Sequence, residues 1–251
     1  MCELVSIVTP VYNSDIYLID TIKSIINQSY PYWELILIDD CSVDTSIDII
    51  KSFIKTDSRI KLIELSHNSG AAVARNKGIE YATGRYIAFL DSDDLWLPDK
   101  LQKQLYFMQK NNYSFTFTAY DKVGVNNQVF GHIGVPNKLS YTDLLKMCSI
   151  GCLTAMYDTQ YFGKITMPLI RKRQDFGLWL KLLKKTDYAY GLNETLAQYR
   201  VRPDSISANK LNAARYTWRL YREIEGLNFP RASFYFFHYA TAKFLYYILN
   251  M

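Results

Sequence analysis

The sequence predicts an α/β protein with a mostly parallel, doubly wound sheet flanked by helices. Two observations predict it. Strand-like apolar runs alternate with helical segments of about a dozen residues through the first 112 positions. Two of those runs also end in aspartates, at Asp39–Asp40 and at Asp91–Ser92–Asp93–Asp94. The carboxyl ends of parallel strands are where open α/β sheets place ligand sites.

The elements follow in order. Leu4 to Val11 is a β-branched run stopped by Tyr12 and Asn13, which reads as a strand and a turn. Ile16 to Ile26 carries apolar residues at helical spacing. Trp33 to Ile38 is a second strand, and Ser42 or Asp44 can cap a helix running to about Ile54. Ile60 to Leu65 is a third strand. A loop at His67–Gly70 leads into a small-residue helix, Ala71 to Ala82, stopped by Thr83 and Gly84. Tyr86 to Leu90 is a fourth, buried strand, followed by a helix from Pro98 to Asn111.

The pattern then changes. Ser114 to Tyr120 alternates like a half-buried strand, and Asn126–Asn127 reads as a hairpin turn before Val129. Leu144 to Met147 is a short helix, Cys152 to Tyr157 a strand, and Asp175 to Lys184 a helix. Tyr188 to Leu192 and Thr195 to Val201 read as two strands, and Asn209 to Glu225 as a charged amphipathic helix. Phe229 to Met251 is dense in aromatics, with Arg231 and Lys243 its only charged side chains. No repeat, low-complexity tract or flexible linker interrupts the chain.

Composition narrows the function classes. The 251 residues are 49% hydrophobic, enough for a sizeable core. The N-terminal apolar run is broken by Pro10 and Asn13, unlike a signal peptide or a spanning helix. Cys2, Cys41, Cys148 and Cys152 lack metal-type pairing, so reduced thiols and a cytoplasmic setting are expected. The net charge of +5 is uneven. Residues 1–169 hold 15 Lys and Arg against 18 Asp and Glu, whereas residues 170–251 hold 14 against 6. A basic second half suits an anionic partner such as phosphates or an anionic membrane surface. Nucleic acid is disfavoured, because the clustered motifs lie in the acidic half.

The acidic clusters carry the chemistry. Three carboxylates at one strand end repel one another unless a cation sits among them. Oxygen ligands suit Mg2+ or Mn2+ shared with substrate phosphates. Helix capping before Leu95–Pro98 needs only one of the three. The sheet edge at Thr9, Tyr12, Asp39–Asp40 and Asp91–Asp94 can hold a nucleotide, with carboxylates for a base N–H, for ribose hydroxyls and for a metal on the diphosphate. Turn and capping chemistry before Ser42 is the plainer reading of Asp39–Asp40. No glycine-rich dinucleotide or Walker sequence is present.

Four segments carry a family resemblance: Val5–Asn13 (VSIVTPVYN), Glu34–Ser42 (ELILIDDCS), Asn68–Asn76 (NSGAAVARN) and Asp91–Asp94 (DSDD). In order and spacing they resemble the family-two inverting glycosyltransferases. Ile150–Thr154, Arg171–Asp175 and Tyr199–Arg200 resemble the bacterial subgroup that builds cell-surface polysaccharides, of the teichuronic acid type. The resemblance implies a nucleotide-diphospho-sugar transferase fold of the GT-A type. It implies a catalytic domain over 1–208, with a nucleotide-binding half (1–112) and an acceptor half (113–208), and a helical extension over 209–251. It also implies a nucleotide-sugar donor, UDP-linked, a divalent metal, and a glycan or lipid-linked acceptor, with peripheral attachment to the inner membrane face and oligomerisation both open.

Site roles follow from the same resemblance. Asp40, with Thr9 and Tyr12 beside it, matches the uracil-contacting position. Asp91 and Asp93 match the D-x-D element and Asp94 extends it, so the metal ligand is Asp93 or Asp94. Asp175 matches the catalytic base, with Gln174 where the family usually has Glu. Arg75 reads as a donor contact or a helix-surface salt bridge. Arg200 and Arg202, before Pro203, Ser205 and Ser207, read as a loop closing over the diphosphate or as plain surface. Two rival classes remain: a non-catalytic nucleotide-sugar binding protein and a nucleotidyltransferase. The first would shed the base or the metal carboxylates; the second favours a glycine- and lysine-rich loop where this chain has Tyr12–Asn13–Ser14. For Phe229 to Met251, Tyr235, Tyr239, Tyr246 and Tyr247 suit a lipid headgroup region, and packing on protein is the alternative.

Overall fold

The computed structural model describes residues 3–202 and 210–249. Cys2, Pro203, Ser205, Ser207 and Met251 lie outside the described residues, as do the side chains of Tyr246 and Tyr247.

The first half follows the predicted order: β1 (Val5–Val11), α1 (Asp15–Ile26), β2 (Trp33–Asp39), α2 (Ser46–Ile54), β3 (Ile60–Glu64), α3 (Ala71–Tyr81) and β4 (Tyr86–Phe89). β1 pairs in parallel with β2 and β4, and β2 with β3. β1, β2 and β4 are almost wholly buried on both faces, as parallel strands sheathed by helices must be. α3 lies unusually close to this sheet. A Cβ at Gly78 would sit 2.5 Å from Val8 and 2.6 Å from Ile38, so only glycine permits the approach.

At the strand ends away from the aspartates, Glu34 ties β2 to its neighbours. Its carboxylate accepts from Ser6 Oγ (2.5 Å), Thr83 N (2.6 Å), Thr83 Oγ1 (2.8 Å) and Lys61 Nζ (2.6 Å). Burial by itself would raise the pKa of Glu34. The hydrogen bonds from Lys61, Ser6 and Thr83 outweigh it and bring the group down to about 2.

The second half contains β5 (Leu95–Trp96), α4 (Lys100–Asn111), β6 (Phe115–Val123), β7 (Val129–Ile133), β8 (Lys138–Leu139), α5 (Tyr141–Lys146), β9 (Met156–Asp158), α6 (Thr159–Phe162), α7 (Gln174–Leu183), β10 (Ala189–Arg200), α8 (Lys210–Arg219) and α9 (Phe229–Leu249). The sheet runs β3-β2-β1-β4-β9-β6-β10-β5, with β7 on β6 and β8 on β10. β9 is antiparallel to both β4 and β6, and so joins the two parallel blocks.

Several expectations are corrected here. Phe115 to Ala119 is buried on both faces rather than one: Phe115 packs on Trp179 of α7, and on the opposite face Thr116 finds a partner in buried Gln104 of α4. Cys152–Thr154 is a 3-10 turn, not strand; Gly151 O takes both Thr154 N (3.0 Å) and Thr154 Oγ1 (2.8 Å). The two strands predicted over 188–201 are one strand, β10, with irregular register between Leu192 and Ala197. The helix predicted over 209–225 ends as α-helix at Arg219 and continues as a π-helical turn, Leu220–Ile224.

α9 packs on the body of the protein by one face. Ala232 and Tyr239 are buried, and Phe236 meets Trp218 edge-on at 5.5 Å. Tyr239 therefore points inward, not to a headgroup region, and Tyr235 is half-buried. Phe234 and Phe237 lie on the other face and are exposed, while Phe229 reaches the same Trp218 at 5.7 Å.

Candidate active site

Asp39, Asp40 and Asp91 lie at the carboxyl ends of β2 and β4, beside the end of β1. The turns there are laced together. Asn13, with φ 46°, donates its N–H to Ser42 Oγ (3.0 Å) and accepts Val43 N on Oδ1 (2.9 Å). Asp40 is buried, and its carboxylate receives Ser69 N (2.6 Å) and Gly70 N (2.8 Å). It thereby shapes the loop that begins α3, where Gly70 takes φ 88°. Two of its four lone-pair positions remain. Asp39 receives Ser42 N on Oδ2 (2.9 Å). Its Oδ1 and the Oγ1 of Thr9 are buried with no protein partner among the described residues. Tyr12 is half-exposed at the rim.

The acidic turn after β4 is fixed from several sides. Asp94 N donates to Asp91 O (3.1 Å). Thr21 Oγ1 on α1 donates to Ser92 O (3.0 Å) and Asp94 O (2.9 Å), and Ser14 Oγ meets Ser92 Oγ (2.7 Å). Asp94 is buried and receives Arg200 N on Oδ1 (2.8 Å). Burial, then the charges of Asp93 and Asp91, push its carboxyl well above the usual range. Asp93 is raised as well, by burial and by Asp91, against the pull of Arg202. Arg202 Nε lies 2.9 Å from Asp93 Oδ2.

Arg200 is a buried strut. Its Nε donates to Asp93 O (2.8 Å), and Nη1 reaches Asn127 Oδ1 (2.5 Å) and the carbonyls of Val125 (3.3 Å) and Gly124 (3.4 Å). Its guanidinium lies over the Tyr17 ring at 4.6 Å. The side chain is 1% exposed, so the expected surface loop is not what Arg200 forms.

Arg75 on α3 is buried and pairs with Asp91 at 2.5 Å, which decides against a surface salt bridge. Burial opposes its charge, but Asp91, Cys152 and Asp175 raise its pKa above the ordinary value. Asp175 thus lies within electrostatic range of the Arg75–Asp91 pair. The next residue, Asn76, grips the segment ahead of α7, donating to Met167 O (3.0 Å) and accepting Met167 N (2.7 Å). α7 itself packs beneath β4, with Trp179 against Phe89 at 5.7 Å and Phe115 at 5.4 Å. Arg173 starts α7 with φ 68° and donates Nη2 to Tyr239 OH on α9 (2.5 Å).

Asp175 stands apart from the other carboxylates. It is partly exposed near the N-terminus of α7. No hydrogen bond or ion pair reaches its carboxylate from the described residues. Cys148 and Cys152 are free thiols beside it. Burial pushes Cys148 up to about 12 and Cys152 upward, with the charge of Asp175 adding to both.

Among the sequence-predicted residues, Arg75, Asp91 and Asp175 are brought together, as are Asp93, Asp94 and Arg200; Thr9, Tyr12 and Asp40 form the far end of the same sheet edge. The sequence reading gave no role to Asn76 or to the Asp93–Arg202 pair, and it set Tyr239 toward lipid headgroups rather than on Arg173. All three are contacts between distant segments, and no local spacing announces them.

The acidic turn fits a divalent cation. Burial and like charge raise Asp93 and Asp94, and a bound cation relieves both penalties. Among the described residues no three His, Cys, Asp or Glu side chains close a cage, so a cation here would share its coordination with ligand oxygens.

The fold and this edge are those of a sugar-transferring enzyme. A family model described as glycosyl transferase family 2 matches residues 6–161, and the chain belongs to that family. It is 51% identical over 238 residues to TuaG of Bacillus subtilis (strain 168), a glycosyltransferase assigned to teichuronic acid biosynthesis, covering 94% of each protein. It is 40% identical over 216 residues to WfgD of Escherichia coli, a UDP-Glc:α-D-GlcNAc-diphosphoundecaprenol β-1,3-glucosyltransferase, covering 86% of this chain and 84% of that one. Among solved structures, Staphylococcus aureus TarS 1-349 in complex with UDP-GlcNAc superposes with a TM-score of 0.69 at 20% identity, over 87% of this chain and 66% of that one. The mannosyltransferase PcManGT of Pyrobaculum calidifontis, in complex with GDP-Man and Mn2+, gives 0.68 at 15% identity, over 88% and 63%. The chain therefore spans just under two thirds of these solved chains, and at such identity they establish the fold alone.

Proposed function

We propose that this glycosyltransferase moves a sugar from a UDP-sugar to a hydroxyl of a lipid-linked or glycan acceptor, with inversion at the anomeric carbon, in bacterial surface polysaccharide synthesis. The observation that carries the reading is the Asp175 carboxylate, without a partner among the described residues, beside the Arg75–Asp91 pair. The UDP donor, the lipid-linked acceptor and a place on the inner membrane face are supported by the likeness to the E. coli glucosyltransferase.

Residues 1–112 form the donor half in this reading. Tyr12, Thr9 and Asp40 take the base and ribose, and Asp91, held by Arg75, lies nearer the sugar. Asp93 is the metal ligand, since its side chain is partly open while Asp94 is buried on Arg200 N. A divalent metal held by Asp93 and the donor phosphates would supply positive charge against the departing diphosphate. Arg202, partly exposed beside Asp93, is the arginine available to that diphosphate, and Arg200 braces the turn.

Residues 113–208 supply the acceptor side. The acceptor O–H donates to the Asp175 carboxylate. As that proton transfers, the oxygen forms its bond to the anomeric carbon. The bond from that carbon to the diphosphate breaks on the opposite face, and UDP departs with the electron pair. No covalent enzyme nucleophile is needed. Gln174 in place of the family's usual Glu removes a like charge next to the base.

A screen of UDP- and GDP-sugars against wild type and Asp175→Asn tests the reading. Turnover with a UDP-sugar, lost in the variant with donor affinity intact, is expected. Near-normal turnover by the variant would move the base elsewhere.

A further inference from the structure

We infer that the outward face of α9 docks on an anionic lipid surface and sets the acceptor end of the site against it. The inference deepens the lipid-linked acceptor reading and is tested separately from it.

α9 has two faces of different chemistry. Ala232, Tyr235, Phe236 and Tyr239 fall within one third of the helix circumference and join the core. Phe234 and Phe237 fall on the opposite side, at 53% and 67% exposure, with exposed Pro230 between them. Single exposed aromatics are ordinary, but two on one helix face with Pro230 between them form an apolar strip with nothing over it among the described residues. No described helix is long and apolar enough to cross a membrane, so the strip suits a helix lying in the interface.

Charge selects lipid over a neutral apolar partner. α9 itself carries no Asp or Glu, Arg231 is exposed on it beside Phe234, and the exposed Glu223 of the preceding turn is paired with Arg219. Ahead of α7, Leu169 is 72% exposed and Arg171 is exposed beside it. A helix face with an apolar strip, a flanking cation and no anion of its own is complementary to acyl chains under anionic headgroups. The location also fits. Arg173 Nη2 bonds Tyr239 OH at 2.5 Å, so the inner face of α9 touches the turn that presents Asp175 two residues later. A lipid-anchored hydroxyl would reach Asp175 at this corner.

The full chain should co-sediment with phosphatidylglycerol–phosphatidylcholine vesicles, less with phosphatidylcholine alone, and less at high salt. Phe234→Ser with Phe237→Ser should weaken partition by about tenfold or more, since each ring carries over a kilocalorie of transferable apolar surface. Arg231→Gln should weaken it about fivefold. Both variants should keep the wild-type melting temperature and UDP affinity, because these side chains are exposed and distant from the donor edge. Absence of binding to anionic vesicles, or wild-type binding by the double variant, would overturn the inference. So would light scattering that shows a wild-type dimer broken by the double variant with no vesicle binding, which would assign the strip to a second copy. Vesicle binding without turnover on any sugar would support the docking face and strike only the functional reading.

Discussion

The carboxylates of the donor edge and the carboxylate of Asp175 are treated in opposite ways. Asp40 is held by two backbone N–H groups, Asp91 by Arg75, Asp93 by Arg202 and Asp94 by Arg200 N. Asp175 receives none of these from the described residues. The difference matches two tasks. A group that positions a ligand gains from being fixed in advance. A group that must take a proton needs lone pairs that nothing already occupies.

The sharpest break would come from Asp175. Asp175→Asn should lower kcat by about 10²–10⁴ and leave donor affinity unchanged. An equal loss of donor affinity, measured by titration calorimetry, would put Asp175 among the positioning carboxylates. Asp93→Ala should follow, with kcat/KM reduced by about 10²–10³ and not restored by excess Mn2+. Its stability should move the other way. The raised Asp93 carboxyl makes ionisation costly above the ordinary carboxylate range, so the variant should melt no lower than wild type at neutral pH. Any gain should vanish as pH falls below that range, where the carboxyl is protonated in both states.

Glu34 provides the control far from the site. Glu34→Gln should cost about 1–3 kcal/mol of stability while activity per folded molecule stays constant. Because folding lowers the Glu34 pKa from 4.5 to about 2, its contribution is present above 4.5 and lost as pH falls toward 2. Acid unfolding followed by circular dichroism should lose that component in the variant. The smallest effect should come from Tyr239→Phe, which frees Arg173. A fall in kcat of about tenfold or less with unchanged donor affinity would show α9 steadying the start of α7; a change in donor affinity alone would not.

Legibility followed the same divide. β1 to β4 and the aspartates they deliver were readable because strands covered on both faces become unbroken apolar runs. The second half depends on partners far along the chain. β6 is buried on both faces only because α4 and α7 cover them, and β10 reads as two strands only because its register slips near Asn193 and Glu194. Arg200 was singled out as a residue, yet its burial could not be seen, since its acceptors are carbonyls and an amide 73 to 107 positions away. Asn76 and Met167 are 91 residues apart, and neither carries a signal for the other.

Arg200 has one consequence in the time domain. A single guanidinium bonds Asp93 O and the tip of the β6–β7 hairpin together, while its own amide holds Asp94. Neither segment can open without releasing the other. The amides of the acidic turn and of residues 124–127 should then exchange with solvent as one cooperative unit, at a common rate that falls when a donor occupies the sheet edge.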